Sequence, residues 1–265
     1  MALIYNSTFD KSTRKLSFED RAGNEIYSFI VPERGSAVDD ITKPLTFKAT
    51  QDGSTVSLQK RGSIYSSFQT SRDGGNTWVS YDTGTAITLN TGDEVSFRVY
   101  AYSKPNYDKH YYFKMTGKIE AWHNVMSITK RGGSPMQEPM GAYELQYLFS
   151  GCKSLTKAPV LPATTLEQNC YQGMFSGCQS LTKAPELPAT TLADNCYQFM
   201  FSGCQSLNEV RIAATTTTTA ALKDWLEGVS ATGDFYCDPN ATIFPTGTSG
   251  IPSGWTRHNI ADYPN

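Results

Sequence analysis

Phe149-Ser150-Gly151-Cys152-Lys153-Ser154-Leu155-Thr156-Lys157-Ala158-Pro159 returns as Phe175-Ser176-Gly177-Cys178-Gln179-Ser180-Leu181-Thr182-Lys183-Ala184-Pro185. It begins a third time at Phe201-Ser202-Gly203-Cys204-Gln205-Ser206-Leu207. The period, from Cys152 to Cys178 to Cys204, is 26 residues. Between these blocks Leu161-Pro162-Ala163-Thr164-Thr165-Leu166 matches Leu187-Pro188-Ala189-Thr190-Thr191-Leu192, and Asn169-Cys170-Tyr171-Gln172 matches Asn195-Cys196-Tyr197-Gln198. Gln146 extends the Gln172 and Gln198 register one unit upstream. Units of this size cannot bury their own apolar faces, so they must stack on one another.

Each unit parses into a strand and a helix. Leu155 and Ala158, with Leu181 and Ala184, supply the apolar positions of a short strand, and Pro159 and Pro162 end it by removing backbone donors. Thr164 with Glu167 three residues on is a capping-box pattern, and Thr191 with Asp194 is a looser one. The spacing of Leu166, Cys170, Met174 and Phe175 predicts a helix from about Leu166 to Phe175, closed by Gly177. A period in the twenties with paired apolar positions falls in the leucine-rich-repeat range. The last unit changes: Thr215 to Thr219 replaces the Pro-Ala-Thr-Thr segment, and Ala220 to Glu227 reads as its helix, with Leu222 in register with Cys170 and Cys196. Phe235-Tyr236-Cys237 reads as a closing strand, and the loop-rich tail Phe244 to Trp255 as a cap over the open end.

The run Phe-Ser-Gly-Cys-x-Ser-Leu-Thr-x-Ala-Pro-x-Leu-Pro-Ala-Thr-Thr-Leu resembles the BspA-like leucine-rich repeats of Bacteroidota surface and phage-encoded proteins. Gly247-Thr248-Ser249-Gly250-Ile251-Pro252-Ser253-Gly254-Trp255 is similar to an ending such arrays often carry. The resemblance covers roughly residues 120–265. It implies a recognition scaffold linked to adhesion and binding rather than catalysis, and it fixes no ligand.

From Thr46 to Met115 the pattern is alternation. Thr46–Ala49, Thr55–Leu58, Ser67–Thr70, Ala86–Leu89 and Val95–Tyr100 are short strand candidates, separated by Asp52-Gly53, Asp73-Gly74-Gly75 and Thr91-Gly92-Asp93 turns. Such spacing predicts a small β-sandwich, and domains of this kind often precede BspA-like repeats. Ser71 to Trp78 matches the Asp-box consensus of sialidase propellers. One box in a segment too short for a propeller is read as a hairpin turn, with Asp73 accepting backbone hydrogen bonds and Trp78 packed beneath; a carbohydrate-active enzyme is the rival reading. Upstream, Lys15–Glu19, the turn Arg21 to Asn24 and Glu25–Val31 read as a β-hairpin. Its second strand is apolar on both faces, more than a lone hairpin can bury, so it packs either on the sandwich or on another subunit or larger assembly; Ile26, Tyr27, Phe29 and Val31 are the candidate assembly contacts. The expected architecture is therefore mainly β with short helices. A hairpin anchor and linker occupies 1–44, a β-sandwich 45–117, and a capped leucine-rich-repeat solenoid of 26-residue repeats 118–265.

Composition narrows the function. The chain has 265 residues, a formal net charge of -2 and 18% charged residues, which argues against a basic nucleic-acid binder or a polybasic membrane-surface protein. Its 30 threonines, 25 serines and 15 tyrosines lean towards strands and turns. No stretch approaches the length of a membrane span, and the start of the chain does not read as a secretory signal. Five of the six cysteines sit at repeated positions, Cys152 with Cys178 and Cys204, and Cys170 with Cys196; there is no C-x-x-C pair, so no metal is expected, and the six read as buried free thiols.

His110, His123 and His258 lie in different segments without a nucleophile beside them, and phosphate-binding loops are absent. Asp39-Asp40 and Asp93-Glu94 are sequence neighbours that point to opposite faces of a strand, making poor acid–base pairs. No catalytic residue, cofactor or metal ligand is therefore assigned. Binding falls to the rows a stacked array presents: Tyr171 with Tyr197, and Lys157 with Lys183, are the candidate ligand contacts. The expected protein is a phage virion component, a head or tail fibre or decoration protein. It is a homo-oligomer that meets other virion or surface proteins through its N-terminal segment and a host-surface protein or glycan through its repeats. A bacterial cell-surface adhesin is the alternative.

Overall fold

The computed structural model describes residues 6–10, 15–19, 22, 25–30, 40–129, 140–218 and 220–263. The chain is mainly β and divides into two compact units, Met1–Val38 and Asp39–Asn265. In the first, β1 (Asn6–Asp10), β2 (Lys15–Glu19) and β3 (Glu25–Ile30) form an antiparallel sheet in the order β1-β2-β3. The expected hairpin is the β2–β3 pair, with Leu16 opposite Phe29 and Phe18 opposite Tyr27. Strand β1 joins its free edge, pairing Phe9 with Leu16. Ile26, Tyr27 and Phe29 lie on β3, whereas Val31 lies outside the described residues.

The second unit begins with β4 (Thr46–Ala49), β5 (Ser54–Arg61), β6 (Ser67–Ser71), β7 (Val79–Tyr81), β8 (Ile87–Leu89), β9 (Glu94–Ala101), β10 (His110–Thr116), β11 (Ile119–Trp122) and β12 (Leu155–Lys157). They make a six-stranded sheet, β12-β11-β4-β9-β6-β7, and a three-stranded sheet, β10-β5-β8, an arrangement compatible with a β-sandwich. Alternate residues of β4, β9 and β10 turn Phe47, Phe97 and Phe113 into the space between the sheets, where all three are fully buried. Phe113 meets Phe47 at 4.6 Å and Phe97 at 5.3 Å edge to face, the geometry the ring quadrupole favours. A 3-10 turn, Val125–Ile128, is tied to this body through buried Ser127, whose Oγ accepts from Leu45 N and donates to Phe97 O.

Beyond β12 the chain departs from the expected helices. Residues 166–175 form successive four-residue turns, and the helical elements among the described residues are two short 3-10 turns, Val125–Ile128 and Ile260–Asp262. Backbone bonds close the turns Glu167–Cys170, Tyr171–Met174 and Phe175–Cys178. The third residue of each, Asn169, Gly173 and Gly177, takes φ of 58°, 58° and 75°, as a type II turn requires and an α-helix forbids. The same spacing recurs at Asn195, Phe199 and Gly203. Alternate amides then point along the stack: Tyr171, Gly173, Phe175 and Gly177 donate to the carbonyls of Cys196, Gln198, Met200 and Ser202 in the next unit. The capping box does not form either. Glu167 instead reaches the unit before it, its Oε2 accepting from Ala142 N at 3.1 Å.

This lattice explains the repeated letters. Phe113, Phe149, Phe175 and Phe201 stack face to face at 5.4 to 5.5 Å. Beside them the thiols of Cys152, Cys178 and Cys204 donate to the carbonyls of Phe113, Phe149 and Phe175. Gln172 Nε2 donates to Gln198 Oε1 at 2.7 Å, and Asn169 Nδ2 to Gln172 Oε1 at 3.0 Å, so these amides satisfy one another inside the stack.

The last unit is one residue shorter, and the residue is lost ahead of its turns, between the Ala184–Glu209 and Leu187–Arg211 backbone bonds. Tyr197 N donates to Ala221 O where Tyr171 N meets Cys196 O, so Ala221 and not Leu222 takes the register of Cys170 and Cys196. A parallel sheet of β13 (Glu209–Arg211), β14 (Gly233–Cys237) and β15 (Trp255–Asn259) closes this end. The closing strand expected at Phe235–Cys237 is β14, and the tail adds β15 beyond it. Tail residues cover buried Trp225, whose indole donates to Gly250 O at 3.0 Å and stacks on Phe244 at 6.5 Å.

Candidate recognition surface

Strands β13, β14 and β15 run parallel in strict register, so outward side chains line up across them. Glu209, Asp234 and Thr256 form one rung; Arg211, Tyr236 and His258 form the next. A bridge from Lys183 to Glu209 carries the surface back one unit, and their side chains pair at 3.1 Å. Arg211 pairs with Glu186 at 3.1 Å, and His258 Nε2 meets Asp234 Oδ1 at 2.7 Å. Three aromatic rings join these charges. The Tyr236 ring stacks on His258 at 4.8 Å and meets Tyr263 edge-on at 4.8 Å, while Arg211 lies over the Tyr263 ring at 4.8 Å.

The electrostatics follow from those neighbours. Tyr263 donates its hydroxyl to Glu209 Oε1. Partial burial first, then this carboxylate acceptor, push the phenol well above its ordinary range. Desolvation and the nearby charges of Asp234 and Glu209 also push Tyr236 up. Both rings therefore stay neutral donors at physiological pH, held in fixed orientations by partners on three strands. The result is a paired-charge, aromatic surface suited to hydrogen bonding and ring stacking.

The two tyrosines named from sequence are not on it. Tyr171 and Tyr197 are each 1% exposed, stacked on one another at 6.0 Å, with Tyr197 continuing onto Trp225 at 6.4 Å. Tyr171 and Phe175 open successive four-residue turns, so both point into the same interior. The two lysines do face outward. Lys183 joins the surface above, and Lys157 lies half-buried with its ammonium over the Trp122 ring, whose indole donates to Glu120 Oε2 at 2.9 Å. Sequence reading weighs His258 only as a catalytic histidine and does not single out Arg211, Tyr236 or Tyr263 for binding. Their alignment follows only once β15 is known to pair in register with β14.

The other sequence candidates separate widely. Asp73 is committed to its turn: its carboxylate accepts from Ser71 Oγ, Thr77 N and Thr77 Oγ1 at 2.6 to 2.9 Å, which holds it well below the usual carboxylate range. The Trp78 indole closes the same turn on Gly75 O. His110 is buried against Tyr147, and His123 Nδ1 accepts from Asp40 N at 3.0 Å. All six cysteines are free and buried, with thiols such as Cys152 pushed up to about 12 by burial. Among the described residues no group of three or more His, Cys, Asp or Glu side chains is placed to hold a metal ion, and no helix is long and apolar enough to cross a membrane. Compared with protein-family models, with curated proteins and with solved structures, the chain matches none.

Proposed function

We propose that this chain is a non-enzymatic attachment protein of the BspA-like leucine-rich-repeat kind, carried on a phage virion. The repeat half is a capped solenoid whose strand side meets a host-surface protein or glycan. The sheet of β1 to β3 is the anchor to other virion proteins and between copies of the chain. One observation carries the reading: successive parallel strands hold Lys183, Glu209, Arg211, Tyr236 and His258 in register, building one continuous surface from units that are distant in sequence. Ligand recognition on such a surface costs little conformational entropy, because the rings and charges already restrain one another. The repeated Phe-Ser-Gly-Cys motif and its resemblance supply the setting.

Two measurements test it. Mass spectrometry of purified virions should find the chain at structural copy number; its absence there, or recovery in a bacterial outer-membrane fraction, overturns the virion setting. Labelled protein should bind host cells, and the R211A/Y236A variant should bind about tenfold more weakly, the loss of about 1.4 kcal/mol expected for an interface ring and its paired cation. Unchanged cell binding by a variant with wild-type thermal stability would remove the strand side from the function.

A further inference from the structure

A second surface lies at the end of the sheet pair where β5 turns into β6 and β9 into β10. Three tyrosines stand open there: Tyr65 is 77% exposed, Tyr100 74% and Tyr107 65%. Tyr100 stands near the end of β9, and the connections that carry Tyr65 and Tyr107, residues 62–66 and 102–109, are bonded together. Ser103 N donates to Ser66 Oγ at 2.7 Å, and Ser66 N donates to the buried Tyr111 hydroxyl at 2.7 Å. Asn106 Oδ1 accepts from the amides of Asp108 and Lys109, fixing the turn that presents Tyr107. The first repeat grips the same connection from behind, with Gln146 donating to Asn106 O and Tyr102 donating to Glu144 at 3.1 Å. The rings are therefore displayed on a braced platform.

The charge around them is positive. Lys60, Lys104 and Lys109 are exposed, and the Lys60 ammonium lies 5.6 Å from the Tyr65 ring centre. Asp108 is the one exposed carboxylate of the two connections, on a chain whose net charge is -2. We propose that this end is a binding site for an acidic glycan, a sugar chain bearing carboxylate or sulfate groups. The electron-rich face of a tyrosine ring stacks on the C–H face of a pyranose, while lysine ammonium groups meet its anions. Lysine is depleted from the dry centre of protein interfaces, so three lysines among open rings favour a hydrated, anionic ligand over a protein. Single-stranded nucleic acid would use rings and cations too, but its binders are basic overall and this chain is not. The site is independent of the strand-side surface.

The test is titration of the whole protein with hexamers of oligogalacturonate, oligosialate and chondroitin sulfate, beside uncharged maltohexaose and a ten-residue oligothymidylate. At least one acidic hexamer should bind with a Kd below about 1 mM and weaken as salt screens the lysines. Tyr65→Ala with Tyr107→Ala should cost about tenfold, and Lys60→Gln with Lys104→Gln and Lys109→Gln should weaken binding and flatten its salt dependence. R211A/Y236A should bind the acidic hexamer as the wild type does, so failure here and failure of the strand-side reading remain distinct. Tyr65, Tyr107, Lys60, Lys104 and Lys109 are exposed, and unchanged melting temperatures confirm that each variant folds. No saturable binding by any acidic hexamer, equal binding of maltohexaose, or tighter binding of the oligothymidylate at the same tyrosines overturns the proposal.

Discussion

His110 opens β10 with its ring in the interior, 5.5 Å from the Tyr147 ring and 6.3 Å from that of Tyr112. Burial, aided by the positive charge of Arg61, depresses its pKa to about 4. The folded protein thus keeps this imidazole neutral, whereas an unfolded chain protonates it near pH 6.5. Between those values the unfolded state binds more protons, so the contribution is complete above about pH 6.5 and is lost as pH falls towards 4. Allowing for solvent screening, urea denaturation should show about 1–2 kcal/mol less stability at pH 4.5 than at pH 7.5 from this residue. Carboxylates also titrate in that window, so the measurement is a difference. His110→Gln should lose less stability over the same interval than the wild type, and an identical loss would show that His110 carries none of it.

Every fourth residue of the turn rows is in the left-handed region, and at Gly173 that demand coincides with a second one. A Cβ there would stand 2.3 Å from Cε1 of the Tyr147 ring, which leans over the glycine from the preceding unit. At Gly177, also left-handed, the nearest atom would be Gly151 Cα at 3.7 Å. Gly177→Ala should therefore cost about 1 kcal/mol, from φ alone, and Gly173→Ala about 2–4 kcal/mol. In a Tyr147→Ala background the two costs should converge; chemical denaturation of the two parents and the four glycine variants measures this, and a persistent gap would exclude the ring as its cause. These turns also show where sequence reading stops. Strands β4, β5, β6, β8 and β9 were legible because polar and apolar residues alternate in them. Strand β10 was not, since His110, Tyr111, Tyr112 and Phe113 place rings on both faces. Leu166, Cys170 and Met174 fit a helical stripe and a chain of four-residue turns equally well. What separates the two is Asn169, Gly173 and Gly177, residues tolerant of positive φ at the same spacing. The repeat likewise aligned Tyr171 with Tyr197 and Lys157 with Lys183, but identity between units fixes lateral position and leaves inward or outward undetermined.

At the scale of the molecule, two different structures end the stack. At one end β12 pairs in parallel with β11 of the six-stranded sheet, and Phe149 stacks on Phe113, so the sheet pair is the base on which the first unit is laid. At the other, β14, β15 and the tail over Trp225 close the array. Between them a turn row bonds to the row before and the row after, through amides that skip one unit length along the chain. Such a stack has nearest-neighbour energetics, so its middle is removable in whole units. Excision of residues 171–196 joins Cys170 to Tyr197 and lets Tyr147, Phe149 and Gly151 donate to Gln198, Met200 and Ser202 in place of Gln172, Met174 and Ser176. Phe201 then takes the place of Phe175 on Phe149, and Phe199 that of Gly173 against Tyr147, so the deletion is made in the Tyr147→Ala background, which clears the ring that a Cβ there would meet. The shortened protein should keep cooperative thermal unfolding and a near-ultraviolet circular dichroism spectrum of packed aromatics, with a melting temperature lowered by several degrees for the interface it lost. Removal of residues 177–189 is half a unit: it destroys the register of turns, rings and thiols together, and should abolish the cooperative transition. If the whole-unit deletion also fails to fold, the units are coupled beyond their neighbours, and the two ends do more than cap the array.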